Sequence, residues 1–214
     1  MDQKQEKREK EEIEQPKNLE QISSTAEILN AIFDEIESRS NGISVAGIPV
    51  DFYDLDAMTQ GLQRGDLIVV GGRPAMGKTS FAMNLAKNVA QLHKLPVCFF
   101  GLEMSKEQIT YRLIAMEVGI ETGRLRTGRL KKDEWPLLSK GMKTLSQLPI
   151  HINDKRNITV DEMIHQCQRI REEKGLGLVL IDYVQLMDGT NDESRDEELS
   201  KVVISLKDMA TKLQ

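Results

Sequence analysis

Gly72-Arg73-Pro74-Ala75-Met76-Gly77-Lys78-Thr79 fills every position of the pattern Gly-x-x-x-x-Gly-Lys-[Ser/Thr]. An apolar run, Leu67-Ile68-Val69-Val70, precedes it, and an amphipathic segment from Phe81 to Val89 follows. That is the strand–loop–helix context in which the pattern carries meaning. Glycines at these positions let successive backbone N–H groups converge on an anion, and the N-terminus of the following helix adds positive partial charge. Lys78 is placed to reach the β- and γ-phosphates of a nucleoside triphosphate, and the Thr79 hydroxyl to take a Mg²⁺ coordination position. The backbone from Gly72 through Arg73, Pro74, Ala75, Met76 and Gly77 forms the cradle. These eight residues imply a chain that binds a nucleoside triphosphate or descends from one that did.

At 214 residues the chain suits one domain with an appendage. Its net charge of −5 supplies no global basic field, so contact with nucleic acid would need a local patch or charges arranged by assembly. Cys98 lies in an apolar run and Cys167 in a helical pattern. Both read as small buried hydrophobes in a reducing compartment. His93, His151 and His165 have no metal-ligand spacing. No apolar run approaches the roughly 18 residues of a membrane span, and the charged N-terminus has no apolar core of the kind a signal peptide carries. The expected location is the cytoplasm, with no membrane partner.

Residues 1–22 are a charged lead-in, rich in Lys, Glu and Gln, and are expected to be disordered. Residues 23–42 form an amphipathic helix. Ser24 and Glu27 make a capping box, Ile28, Leu29, Ile32, Phe33 and Ile36 form one stripe, and Asn41-Gly42 ends it. From 43 to 214 strands and helices alternate. Strands are expected at Asp66–Val70, Val97–Leu102, Pro149–Ile152 and Leu178–Ile181. Capping boxes at Ser105/Gln108 and Thr159/Glu162 open helices to about Val118 and to just before Gly175. Asp133 is the expected N-cap of a helix running through Leu145, with Trp135 packed in it, and a last helix spans about Asp196 to Leu213. Continuous apolar strands between helices mean an α/β fold, a mainly parallel sheet covered on both faces.

Leu178-Val179-Leu180-Ile181-Asp182 ends a four-residue apolar strand on a carboxylate. Ligands of open α/β sheets sit beyond that strand edge, so Asp182 would face the phosphate loop and orient Mg²⁺. An Asp at a strand end can also simply cap a turn. Tyr183 follows, where many phosphate-loop ATPases carry the glutamate that polarises water. The alternative carboxylate is Glu103, at the C-terminal end of the 97–102 strand. Its other reading is a surface acid favoured by a helix dipole.

Arg73-Pro74-Ala75-Met76-Gly77-Lys78-Thr79, Gly101-Leu102-Glu103-Met104-Ser105 and Ile181-Asp182-Tyr183-Val184-Gln185-Leu186-Met187 together resemble the motifs of the DnaB-type replicative DNA helicases. Arg126-Thr127-Gly128 and Gly61-Leu62-Gln63-Arg64-Gly65-Asp66-Leu67 match that family too. The resemblance covers residues from about 24 to the end. It implies a RecA-like phosphate-loop ATPase core, with Glu103 as catalytic base beside Lys78, and ATP and Mg²⁺ as cofactors. It implies a homo-hexamer that unwinds DNA 5′ to 3′ on a single strand, with primase and a helicase loader as partners. By the same resemblance the helix at 23–42 is a linker helix that docks its stripe on a neighbouring subunit; packing on its own domain is the alternative.

The chain also departs from that pattern. The family's helical N-terminal domain has no counterpart in residues 1–22. The family continues past the position of Gln214 into a strand lying between the phosphate-loop strand and the Asp182 strand, then a basic DNA loop and an arginine finger. The expectation is therefore a partial RecA-like domain, incomplete at its C-terminus. The loop from Met187 to Glu198 carries Asp188, Asp192, Glu193, Asp196, Glu197 and Glu198 against Arg195, a composition that repels nucleic-acid phosphate. Two other readings stand beside a helicase core: an inactive or regulatory fragment that docks on a full-length ring, and another RecA-like ATPase, such as a recombinase or ring loader. Arg124, Arg126 and Arg129 read either as a solvated basic loop or as contacts to phosphate or a neighbour.

Overall fold

Three parallel strands carry the architecture: β1 (Val97–Gly101), β2 (Ile150–Asn153) and β3 (Leu178–Asp182), in the order β2-β1-β3. The computed structural model describes residues 24–41, 46–187 and 195–213. The lead-in at 1–22, Gly42 and the acidic residues Asp188, Asp192 and Glu193 lie outside the described residues.

The central strand is buried at all five positions, as a strand flanked on both edges and covered on both faces must be. Successive side chains of a strand point to opposite faces, and the core divides accordingly. Val97 and Phe99 join one apolar cluster with Met83, Leu85 and Val89 of α3 (Lys78–Leu92) and Ile109 and Leu113 of α4 (Lys106–Val118). Cys98 and Phe100 join the other, with Met163 and Cys167 of α7 (Val160–Lys174) and Val202, Leu206, Met209 and Leu213 of α8 (Arg195–Leu213). Helices therefore cover both faces, as the alternation of elements predicts. The two cysteines are free thiols, buried and hydrogen-bonded to one another; that bond draws Cys98 down and, with burial added, pushes Cys167 up.

Capping residues set the helix starts. Ser24, Ser105 and Thr159 each accept the amide of the residue three positions on, and each box closes with Glu27, Gln108 or Glu162 reaching back. The helix α1 (Thr25–Ser40) ends at the Asn41 cap. It belongs to a unit Met1–Val45, separate from the unit Ala46–Gln214 that holds the sheet. Its stripe is exposed, with Leu29 at 59% and Phe33 at 66%.

Two expectations are corrected. Residues 66–70 do not form a strand: a strand exists through its hydrogen-bonded neighbour, and none pairs with this segment among the described residues. A cavity of about 570 Å³ separates it from β3, and Ile68, Val69 and Val70 are exposed. Trp135 is not packed into the core but is 56% exposed on a groove wall. Asp133 occupies the N-cap of α6 (Glu134–Ser146) as expected, though in a helical conformation without a side-chain cap; the Glu134 carboxylate accepts the Lys131 amide at 2.7 Å. Two short helices, α2 (Tyr53–Thr59) and α5 (Thr122–Thr127), escape the sequence pattern because seven and six residues are too few to show a stripe.

Candidate active site

The phosphate loop bridges the extended segment at 67–71 and α3. Gly77 is its hinge: it caps α3 with φ 87°, a left-handed conformation that a side chain disfavours. Ala75 shares the left-handed region at φ 62°. Lys78, the first residue of α3, folds back so that its Nζ donates to the carbonyl of Gly72 at 2.8 Å and of Arg73 at 3.2 Å. This self-contact holds the ammonium over the cradle. Gly72 has no side chain to obstruct it; a Cβ there would lie 3.4 Å from Lys78 Cγ. Residues 71–77 are exposed, with Lys78 and Thr79 half-buried.

The β1–β3 pair places the two carboxylates. Gly101 is the register partner of Asp182, and the Leu102 amide donates to the Asp182 carbonyl at 2.8 Å. Glu103 is the next residue, exposed, between that anchor and the Ser105 cap of α4. Glu103 and Asp182 thus leave neighbouring strands at one sheet edge. Asp182 is the buried charged residue of the core, 8% exposed, and its carboxylate has no hydrogen bond or ion pair among the described residues.

No group of three His, Cys, Asp or Glu residues capable of holding a metal occurs among the described residues. One hydroxyl, Thr79, and one carboxylate, Asp182, suit Mg²⁺, which keeps several waters and is bound mainly through substrate phosphates. The contacts that form directly are those of Lys78 with its own loop and of Asp182 with the segment leading to Glu103.

Asp154 is a residue that the sequence reading passes over. It follows β2 at the same strand edge, and its Oδ2 accepts the Lys106 amide at 3.0 Å, so it fixes the first turn of α4 just beyond Glu103. The rule that draws attention to Asp182, a carboxylate ending a strand, also finds it. Beside it, the backbone and Ser105 hydrogen bonds hold the Glu107 carboxyl below the usual range. Arg124, expected in a basic loop but lying in α5, is bound in a fork to Glu134 at 2.8 and 2.6 Å, and Glu134 keeps it charged. No described helix is long and apolar enough to cross a membrane.

Known proteins match most of the chain. The family model described as DnaB-like helicase C terminal domain matches residues 47–214. The chain is 55% identical over 183 residues to the replicative DNA helicase DnaB of a Nostoc species, covering 85% of this chain and 21% of that protein. It is 40% identical over 206 residues to the replicative DNA helicase DnaC of Bacillus subtilis, covering 95% and 45%. Among solved structures, one described as an ATPase domain superposes with a TM-score of 0.83 at 31% identity, covering 90% of this chain and 69% of that one. A DnaB-like replicative helicase described with its interactions with primase gives 0.78 at 31% identity, over 90% and 46%. The chain spans less than half the length of these two curated relatives.

Proposed function

The chain belongs to the DnaB-like helicase C-terminal domain family, and from that premise we propose that it is the ATP-hydrolysing part of a replicative DNA helicase, a hexameric ring that unwinds duplex DNA 5′ to 3′ along one strand. The observation that carries this reading is the β1–β3 register, which sets Glu103 and Asp182 at one edge of the sheet. The relatives' names favour a replicative helicase over a recombinase or a ring loader.

In this mechanism the loop amides from Gly72 to Gly77, through Arg73, Ala75 and Met76, and the amides of Lys78 and Thr79 receive the phosphates of ATP, while Pro74, which has no N–H, shapes the loop. Lys78 exchanges its two carbonyl acceptors for β- and γ-phosphate oxygens. Thr79 and Asp182 would hold Mg²⁺, which would supply charge neutralisation on the phosphoryl oxygens. Glu103 accepts the proton of the water that attacks the γ-phosphorus; the γ-phosphoryl group leaves ADP as inorganic phosphate.

Assembly follows from two apolar surfaces. The α1 stripe presents Ile28, Leu29, Ile32, Phe33 and Ile36 to solvent. A groove of about 480 Å³ between α4 and α6 is lined by Tyr111, Ile114, Trp135, Leu138 and Met142. One subunit's linker helix docks in the next subunit's groove, each shielding apolar surface from water. Single-stranded DNA is the ligand of the assembled ring, and primase and a loader are its protein partners.

The test is DNA-stimulated ATP turnover of the native assembly alongside its Glu103→Gln form. Turnover lost in the variant with nucleotide binding kept supports the reading. Full turnover in the variant removes Glu103 from the reaction, and binding without turnover in either form leaves a regulatory docking role instead.

A further inference from the structure

A second cavity, about 740 Å³, opens between α3 and α4 and closes below at the loop joining α4 to α5. Its volume is that of a small-molecule site. Met83, Met104, Met116 and Ile120 supply an apolar floor, and methionine thioethers are favourable neighbours for an aromatic ring. Arg112 of α4 and Arg126 of α5 stand on its wall, and neither guanidinium has a hydrogen bond or ion pair among the described residues. Nearby cations differ: Lys87 is bound to Glu117 at 2.6 Å and Arg124 to Glu134 at 2.6 Å. Two unpaired guanidinia over an apolar floor are complementary to a flat ring carrying a phosphate. The Thr122 hydroxyl and the Glu121 carboxylate on the same wall can meet a ribose or an amino group.

The position separates this cavity from the phosphate loop. It touches the loop end only through Ser80 and Met104. Arg112 lies seven residues down α4 from the Ser105 cap, about 10 Å by helical rise, and no residue of the loop from Gly72 to Thr79 lines the cavity. We propose that the cavity between α3 and α4 is a second binding site, for a nucleoside monophosphate or similar small nucleotide, with Arg112 and Arg126 holding its phosphate.

The probe is AMP, whose single phosphate gains little from a loop built for β- and γ-phosphates. Equilibrium binding of AMP to the native assembly, without added magnesium, is compared among wild type, Arg112→Ala/Arg126→Ala and Lys78→Ala, with thermal midpoints to confirm folding. The expected result is saturable AMP binding that the double variant weakens by about tenfold or more and Lys78→Ala leaves intact, while ATP binding shows the reverse pattern. Restoring charge with Arg112→Lys/Arg126→Lys recovers part of the affinity. Absence of saturable AMP binding in wild type overturns the proposal. So does equal loss in Lys78→Ala, which would make the cavity the nucleoside end of the loop's own nucleotide. Failure of the wild-type assembly to bind ATP, with its AMP binding retained, would overturn the hydrolysis reading and leave this one standing.

Discussion

The Leu102 amide donates to the Asp182 carbonyl at 2.8 Å, one residue before Glu103. Because Gly101 and Asp182 are register partners, this bond ties the two carboxylates of the site to one pair of strand ends. Shifting the backbone at Leu102 relative to Asp182 would require breaking this bond.

Glu103→Gln keeps the shape and the anchor and removes the carboxylate proposed as proton acceptor. Nucleotide affinity is expected to stay within about twofold, while turnover in the assembled ring falls by about 10²–10⁴. Single-turnover hydrolysis on preloaded ATP separates the two effects.

Lys78→Ala removes the ammonium now shared by the Gly72 and Arg73 carbonyls. Each lost charge-assisted bond to phosphate is worth about 1.5–3 kcal/mol, so ATP affinity is expected to drop at least about tenfold. The thermal midpoint of the unliganded protein should barely move, because the loop is exposed. A large fall in that midpoint would mean Lys78 is structural.

Gly141→Ala tests the contact between α4 and α6. A Cβ there would sit 2.3 Å from Val118 Cγ1 and 3.3 Å from Glu117 Cγ. Val118 is β-branched and stiff on a helix, so α6 must move away. Overpacking of this kind costs about 1–3 kcal/mol, partly offset by about 1 kcal/mol of helix propensity. Urea unfolding should show a lower midpoint; an unchanged or higher one would mean the helices separate freely.

His151 on β2 gives a pH dependence. Burial, then the nearby Lys174, lowers its pKa below the ordinary imidazole value of about 6.5, and its Nε2 is buried without a partner. The unfolded chain therefore takes up this proton at higher pH than the folded one. Stability from the neutral ring is complete above the unfolded value and declines as pH falls from there toward the folded pKa. His151→Gln should flatten that part of a stability–pH profile measured by thermal unfolding, and an unchanged slope would assign the loss to other groups.

Some features are set locally and can be read from neighbouring residues. The three capping boxes, Ser24/Glu27, Ser105/Gln108 and Thr159/Glu162, form where the pattern places them, because a cap needs only residues three apart. The phosphate loop needs only its glycines and the helix after it, so Gly72 to Thr79 are legible as a unit. The alternation of apolar strands with helices likewise implies two covered faces, which Val97 and Phe99 on one side and Cys98 and Phe100 on the other supply.

What depends on a distant partner is decided in three dimensions. Leu67 to Val70 have the composition of a strand, yet no described residue pairs with them, because strand hydrogen bonds come from a neighbour that sequence pattern cannot supply. Trp135 lies on a groove wall because α6 turns a narrow face, centred on Gly141, toward α4. The sequence alone determined which residues form the cradle and which carboxylates end the strands, since both follow from short-range backbone rules. Only the tertiary structure determined that Gly101 pairs with Asp182, which sets Glu103 on the adjacent strand end, and that Arg112 faces the same cavity as Arg126. Sheet register and helix packing set those distances, and both are properties of the assembled core rather than of any one segment.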